Sequence, residues 1–188
     1  KDEKVIVLED YGTWSLVLSE NAVLGCVKNQ KLNEISAETT ISEISERTYN
    51  HIKFEGPICI GWHQMSNKDG NDKLETLVNA APAMNVIAPT WFSLIDNYGN
   101  ISDLGSQDYV TKAHGMGLQV WATVNNIDGG AVDATQILNT TSSRDNLVNK
   151  VVAAAISYDL DGINIDLESL KSSAADGYIQ FIRELSLK

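Results

Sequence analysis

The chain has 188 residues, of which 43% are hydrophobic, and this allows one domain with a core, or one domain and part of another. Its formal net charge of −11 argues against binding to nucleic acids or anionic membranes, because both require basic patches. No apolar run approaches the roughly 20 residues that a membrane-spanning helix needs. The first residues lack the pattern of a secretory signal peptide, so none is expected at this position.

The cysteines and histidines lack the spacing of a metal site or of a redox motif. We therefore predict that the protein uses no metal and no cofactor. Cys26 and Cys59 are expected to be buried free thiols, since unpaired cysteine is among the most buried residue types.

Residues 1–33 contain three short runs of β-forming residues separated by turn residues, and they predict a small β module. The predicted strands cover residues 5–8, 14–18 and 24–27. The spacing Trp14-x-x-Val17, then Gly25-x-Val27, then Leu32, resembles the C-terminal half of a bacterial SH3-like domain. The alternative is a plain β-hairpin extension of the next module. Residues 34–56 are rich in Ser, Thr and Glu, and they predict a linker with one short helix.

From residue 57 the chain alternates between strand and helix patterns. The predicted strands cover residues 58–62, 86–91, 118–124 and 162–166, and the predicted helices cover residues 72–80, 106–116, 142–158 and 173–187. The third helix has one apolar stripe, which consists of Leu147, Val148, Val151, Val152, Ala155 and Ile156. The fourth helix carries the apolar residues Tyr178, Ile179, Ile182 and Leu185.

Four strand–helix units with largely apolar strands predict an α/β protein with a parallel sheet covered by helices. The pattern alone does not separate a doubly wound sheet from a (β/α) barrel. No G-x-G-x-x-G follows a strand, which disfavours a dinucleotide-binding fold.

The segment D-G-I-N-I-D-L-E at residues 161–168 is the most informative part of the sequence. Side chains alternate along a strand, so Asn164, Asp166 and Glu168 are predicted on one face and the aliphatic residues between them on the other. Two acids and an amide on one face cost desolvation and repulsion, which favours a functional role. The alternative is a strand end that exposes its charges to solvent.

This segment resembles the strand-four signature of glycoside hydrolase family 18, the chitinase-like enzymes, written D-G-x-D-x-D-x-E. Asn164 stands where that signature has an Asp. The variant is similar to the branch that acts on peptidoglycan and spore cortex, as are residues 85–92, 109–114 and 119–122. The resemblance runs from about residue 57 to the end of the sequence.

The resemblance implies a TIM barrel, of which residues 57–188 supply about the first four βα units, the N-terminal half. A complete (β/α)8 barrel needs about 250 residues, roughly twice the length of residues 57–188, so we expect the chain to be part of a longer protein. The strand edges of a half-barrel would be exposed, and two copies are predicted to pair through them as a homodimer.

The resemblance also implies a retaining, substrate-assisted glycosidase that acts on N-acetylglucosamine-containing glycans, either peptidoglycan or chitin-like. Glu168 corresponds to the general acid/base and Asp166 to the residue that orients the acetamido group. Asn164 can donate a hydrogen bond but cannot exchange a proton. The expected location is extracellular, at the cell wall or on the spore. Because further site residues of the family come from later strands, this chain is expected to be inactive alone.

Aromatic residues at or just past strand ends are candidates for stacking on sugar rings. They are Trp62, Trp91 and Phe92, for each of which core packing is an equal alternative. Trp121, in the middle of a strand, is expected in the core. Asn125 and Asn126 follow the third strand and are expected either to bond sugar hydroxyls or to form a plain turn.

Two other functions remain open from the sequence. The first is a sugar-binding, lectin-like cell-wall module without catalysis, and the second is a structural or interaction module. Retention of both Asp166 and Glu168 weighs against loss of catalysis, whereas the short length of the chain weighs for it in this molecule.

Overall fold

The computed structural model describes residues 3–20, 22–33, 56–127 and 132–188. The chain divides into two compact units. The described residues up to 33 belong to the first unit, and nearly all of those from residue 56 onward belong to the second. The predicted linker with its short helix lies outside the described residues, apart from Gly56.

The first unit contains an antiparallel sheet of three strands in the order β1-β2-β3: Val5–Asp10, Trp14–Ser19 and Leu24–Lys28. A short 3-10 turn, Asn29–Lys31, follows the third strand. Asp10 Oδ1 accepts hydrogen bonds from Asn29 Nδ2 and from the Gly12 backbone N–H, both at 2.8 Å, and these bonds lower the pKa of Asp10. The three predicted strands are confirmed, and the likeness to half of an SH3-like domain stays a prediction.

Both cysteines are exposed, so the prediction of buried thiols is wrong. Cys26 occupies one of the outward-facing positions of β3, in which exposed and half-buried residues alternate. Cys59 comes immediately before the first strand of the second unit and lies outside its core. The position of each cysteine in the fold, and not the usual burial of this residue type, therefore decides its exposure.

The second unit is built on a parallel sheet of five strands: β4 (Ile60–His63), β5 (Val86–Pro89), β6 (Phe92–Ser93), β7 (Gln119–Asn125) and β8 (Gly162–Asp166). β5 pairs with β4 and with the start of β7, β6 pairs with the end of β7, and β8 pairs along most of β7. Apart from the two-residue β6, neighbouring strands follow the chain order, as in successive βα units.

Among the described residues, five α-helices accompany this sheet: α1 (Leu74–Ala80), α2 (Gln107–Gly115), α3 (Ala134–Asn139), α4 (Thr141–Tyr158) and α5 (Ala175–Ser186). Short 3-10 turns precede α1 at Lys68–Lys73 and α5 at Ser172–Ala174. The four predicted strands and four predicted helices are confirmed, with ends that differ by a few residues. The α/β class with a parallel sheet is therefore confirmed, whereas α3 and β6 were not predicted.

Local sequence explains how α2 begins and ends. Ser106 precedes the helix, and its Oγ accepts a hydrogen bond from the Tyr109 backbone N–H. Gly117 follows the helix with a φ of 78°, a left-handed conformation that glycine adopts without steric cost. The chain can therefore turn directly into β7.

The two faces of the sheet differ in character, as the alternation of β7 shows most clearly. Val120, Ala122 and Val124 are fully buried in the hydrophobic core, on the face that we call the helix-packed face. The opposite side of β7 and β8, which we call the polar face, carries Gln119, Trp121, Thr123, Asn125, Gly162, Asn164 and Asp166. The polar side chains of β7 and β8 that could contact a ligand therefore lie on one face of the sheet.

Ile156, at the end of the predicted apolar stripe of α4, is 76% exposed. Two apolar residues of α5, Ile179 and Ile182, are exposed as well. On α4 the buried stripe ends at Val151. On α5 the buried positions are Gly177, Gln180, Phe181 and Glu184. On this inward side Gly177 lies against the end of α3, where a Cβ would come 2.7 Å from the Leu138 carbonyl oxygen.

Candidate functional site

The start of β8 is held at the amino-terminal end of the sheet by Asp161. Its Oδ2 atom accepts a hydrogen bond from the Val120 backbone N–H at 2.7 Å and lies 2.8 Å from His114 Nε2. Next along the strand, Gly162 faces the Trp121 ring, and a Cβ on Gly162 would lie 2.9 Å from Trp121 Cδ1. Asp161 therefore fixes the strand start, and Gly162 leaves the space that the half-buried indole occupies. Trp121 lies on the polar face rather than in the core where it was predicted.

Asn164 and Asp166 lie side by side on the polar face of β8. In the β7–β8 register, Asn164 is beside Thr123 and Asp166 is beside Asn125. Asn164 Nδ2 donates a hydrogen bond to Thr123 Oγ1 at 3.3 Å. The aliphatic residues that alternate with them, Ile163, Ile165 and Leu167, pack against the hydrophobic core. The sheet thus aligns an amide and a carboxylate on one face.

Glu168 lies two residues beyond the end of β8, and it is exposed. Its backbone N–H donates to Asn126 Oδ1 at 2.8 Å, and its carbonyl accepts from Asn126 Nδ2 at 3.0 Å. Ser169 follows with a φ of 54°, in the left-handed region. Within the described ranges, no residue donates a hydrogen bond to the Glu168 carboxylate. The backbone is fixed, and the carboxylate is open to a ligand.

A cleft of about 270 Å³ lies at the carboxyl end of β7 and β8. Its walls consist of Asn126, residues 132–135 and residues 168–170. Glu168 therefore contributes to the cleft, whereas Asn164 and Asp166 are not among the residues that line it. The structure brings the amide and the first acid together on the sheet, and it places the second acid at the cleft.

One wall of the cleft is fixed by a surface ion pair. Lys171 Nζ lies 2.7 Å from Asp133 Oδ2, and this hydrogen bond holds the pKa of Asp133 below its ordinary value. The Asp133 backbone N–H donates to Asn97 Oδ1 at 2.8 Å, and its side chain caps α3. Neither α3 nor the role of Asp133 was predicted from the sequence, although an Asp at the start of a helix is a usual capping signal.

Two of the four predicted substrate-binding residues are buried in the core, so their assignment is corrected. Trp91 and Phe92 have no exposed surface, and their rings pack edge to face. Trp91 Nε1 also donates to Asn71 Oδ1 at 3.0 Å. Because neither ring has a free face, neither stacks on a sugar in this structure. Core packing, the alternative for both, is what the structure shows.

The other two residues lie on the side of the sheet that carries Asp166. Trp62 is 61% exposed and is in register with Ala88 of β5. Asn125 is buried beside Asp166, and its Oδ1 accepts a hydrogen bond from the Ile127 backbone N–H at 3.2 Å. Trp62 therefore remains available to a ligand, whereas Asn125 forms the turn that was its alternative.

The described part of the chain contains no group of three or more His, Cys, Asp or Glu side chains that could hold a metal ion. Among the same residues, no helix combines the length and apolar character required to cross a membrane.

The open carboxylate of Glu168 can donate or accept a proton at a ligand in the cleft, depending on its charge. The carboxylate of Asp166 can accept a hydrogen bond from a ligand N–H on the polar face. Trp62, on β4 of the same sheet, presents an exposed indole, which is a surface on which an apolar ring face can stack.

No protein-family model matches this chain, and no curated protein sequence matches it. Its fold is similar to those of solved chitinases and of a spore cortex-lytic enzyme. The enzyme SleL of Bacillus cereus is 19% identical with a TM-score of 0.59, over 69% of this chain and 32% of that chain.

Two chitinases give similar values. The chitinase of Chromobacterium violaceum is 21% identical with a TM-score of 0.54, over 69% of this chain and 41% of that chain. The chitinase of Bacteroides thetaiotaomicron is 17% identical with a TM-score of 0.55, over 70% of this chain and 43% of that chain. At these identities the likeness establishes a chitinase-like fold, and the chain spans less than half of each protein.

Proposed function

We propose that this chain belongs to a glycoside hydrolase that cleaves glycans containing N-acetylglucosamine, by a retaining, substrate-assisted mechanism. The observation that carries the proposal is the arrangement at β8: Asp166 on the polar face, and Glu168 open at the cleft beyond the strand. In barrel enzymes the carboxyl ends of the strands hold the reactive groups. The chitinase-like fold supports the same reading, including a TIM barrel in the complete protein.

In this mechanism Glu168 donates a proton to the leaving glycosidic oxygen and later accepts one from water. The acetamido oxygen of the sugar attacks its own anomeric carbon, so the C–O bond to the leaving group breaks as an oxazolinium ring forms. Asp166 holds the acetamido N–H and stabilises the positive charge that develops on its nitrogen. Water then opens the ring, and the product keeps the configuration of the substrate.

Asn164 lies two residues before Asp166 on the polar face and shares no proton with it. Its Nδ2 is bonded to Thr123 Oγ1, which fixes the amide on the polar face. An amide does not titrate in this range, so one of the three acids in the D-x-D-x-E part of the signature is replaced by a neutral hydrogen-bonding group. We therefore assign no proton transfer to Asn164.

The substrate we propose is an N-acetylated glycan, either peptidoglycan or a chitin oligosaccharide, with Trp62 stacked against a sugar ring. This places the protein outside the cell, at the wall or on the spore. Because the chain spans less than half of its structural neighbours, hydrolysis is proposed for the full-length protein and not for these 188 residues alone.

A homodimer is a separate part of the proposal. In the described part of the chain, β4 pairs only with β5 and β8 pairs only with β7, which leaves one edge of each strand available. Free edges can pair with a second copy. Light scattering on this chain at high concentration is expected to give twice the monomer mass, and a constant monomer mass would remove this part.

The test of the proposed function is hydrolysis by the full-length protein on three substrates: N-acetylglucosamine oligomers, peptidoglycan and glucose oligomers. We expect cleavage of the acetylated glycans only, because the mechanism requires the acetamido oxygen. Glu168→Gln should lower the rate by about 10²- to 10⁴-fold. Glu75→Gln, at an exposed position of α1, is the matched control and should leave the rate unchanged.

Equal cleavage by the wild type and Glu168→Gln would contradict the assignment. Cleavage of glucose oligomers at the same rate would contradict substrate assistance. Binding of the acetylated glycans without any cleavage by the wild type would favour the lectin-like alternative.

A further inference from the structure

Asn126 makes an unusual contact with Glu168. Its side-chain amide forms two hydrogen bonds with the backbone of this single residue, accepting from the N–H at 2.8 Å and donating to the C=O at 3.0 Å. The two residues are 42 positions apart, so the contact is tertiary. It uses one donor hydrogen and one acceptor site of the amide.

The contact continues the β7–β8 pairing beyond the point where the two backbones separate. The last backbone pair of the ladder is Asn125 with Asp166. After it, the Ile127 N–H turns back to Asn125 Oδ1, and Ser169 adopts a left-handed conformation. The side chain of Asn126 therefore satisfies both backbone groups of Glu168, which in a longer parallel ladder would pair with two different backbone groups of the neighbouring strand.

This contact sets the position of the Glu168 carboxylate. The carboxylate is exposed and receives no hydrogen bond from the described residues, so only its own backbone and rotamer place it in the cleft. We propose that Asn126 is a positioning residue that holds Glu168 at the reacting bond through its peptide group. This inference rests on the proposed function, since it assigns Glu168 the role of acid.

A direct contact of Asn126 with the sugar is the competing explanation, because Asn126 also lines the cleft. The two roles differ in kinetics. Loss of a substrate contact raises KM, whereas misplacement of the acid lowers kcat. Misplacement also costs most when the leaving group needs protonation, and costs little for an aryl leaving group that departs as a stable anion.

Asn85 provides a matched control at the opposite end of the sheet. Its Oδ1 accepts from the Cys59 backbone N–H at 2.7 Å, and its Nδ2 donates to the Pro57 carbonyl at 2.9 Å. Asn85→Ala therefore removes the same kind of side-chain bridge between chain segments, without touching Glu168.

The experiment measures kcat and KM of the full-length protein on an N-acetylglucosamine oligomer and on its 4-nitrophenyl glycoside. For Asn126→Ala we expect kcat on the oligomer to fall by about 10- to 100-fold, since a small misplacement of a catalytic group has effects of this size. KM should stay unchanged, and the loss should be smaller on the nitrophenyl substrate. Asn126→Asp keeps the hydrogen-bond acceptor but not the donor, so its kcat should lie between those of the wild type and Asn126→Ala. Asn85→Ala should have the kcat and KM of the wild type.

Three results would overturn the inference: kcat unchanged, a rise in KM alone, or equal loss on both substrates. Hydrogen exchange of the Glu168 amide, measured by NMR on the 188-residue chain, provides a second readout that does not depend on turnover. It should accelerate in Asn126→Ala and not in Asn85→Ala, and unchanged exchange would also overturn the inference.

Glu168→Gln in the same series separates the two proposals. If it remains active, the proposed function fails. If it is inactive while Asn126→Ala behaves as the wild type, only the positioning role fails.

Discussion

Two glutamates of the second unit, Glu184 and Glu168, lie in opposite surroundings. The Glu184 carboxylate is buried between α4 and α5, where Arg144 Nε and Nη2 approach its two oxygens at 2.8 and 3.1 Å. Gln180 Nε2 adds a third hydrogen bond at 3.0 Å. Arg144 also donates to the Leu138 carbonyl at 2.7 Å. Each oxygen of this acid is engaged by the fold.

The carboxylate of Glu168, in contrast, is exposed and receives no hydrogen bond from the described residues. The protein bonds the peptide of Glu168 through Asn126 and leaves the carboxylate exposed at the cleft. A buried charge must be neutralised by partners, or it costs several kcal/mol, whereas an exposed one keeps its hydration. The Glu184 carboxylate therefore stabilises the packing of α4 and α5, whereas the Glu168 carboxylate remains accessible to a ligand.

The largest expected effect is a loss of stability when the charge of the buried Glu184 is removed. Glu184→Gln removes the negative charge and leaves Arg144 buried without a counter-ion, so we expect the free energy of unfolding to fall by about 3–5 kcal/mol. Urea unfolding of the 188-residue chain measures it. A loss below about 1 kcal/mol would mean that water reaches this pair and that its burial is not what stabilises it.

A second substitution, at Gly162, tests how closely the start of β8 packs on Trp121. Gly162→Ala places a Cβ 2.9 Å from Trp121 Cδ1, so the ring must move, and we expect a loss of about 1–3 kcal/mol. Gly115→Ala is the control: no neighbour lies within 4 Å of its Cβ, and alanine favours the helix by up to about 1 kcal/mol. Unfolding together with tryptophan fluorescence tests this, and equal stability of both variants would contradict the close packing of β8 on Trp121.

The smallest expected effect concerns a buried group that belongs to neither glutamate site. His63 Nδ1 lies 3.0 Å from the Tyr109 hydroxyl, and burial, with a smaller contribution from Lys73, lowers the pKa of His63. The unfolded chain then binds a proton more readily than the folded one, so stability falls as pH drops below about 6.5. One such site contributes at most about 1.4 kcal/mol per pH unit. His63→Gln should flatten this slope in unfolding measured between pH 5 and 7, and an unchanged slope would exclude His63 as its source.

The sequence predicted the parts of the fold in which local pattern and tertiary context agree. β8 has the predicted bounds because its aliphatic residues alternate with polar ones, and one face is buried against helices. β7 lies within one residue of its prediction for the same reason. The polar face, with Asn164 and Asp166 in line, follows from this alternation alone.

Features that depend on distant contacts could not be predicted. Trp91 and Phe92 stand where a strand ends, a position equally compatible with a ligand platform, and only the packing of Trp91 on Asn71 and Tyr109 decides for the core. The exposed side of α5 depends on which neighbour covers the helix, and periodicity does not identify that neighbour. The bonds of Asn126 to Glu168 join residues from two loops, and no local signal specifies them.

The most direct test of this account measures hydrolysis and unfolding on the same preparation of full-length Glu168→Gln. We predict that hydrolysis of N-acetylglucosamine oligomers falls by at least about 100-fold, while the free energy of unfolding changes by no more than about 0.5 kcal/mol. A variant that cleaves the oligomers within a few fold of the wild-type rate would contradict the account. So would one that loses activity only because it unfolds.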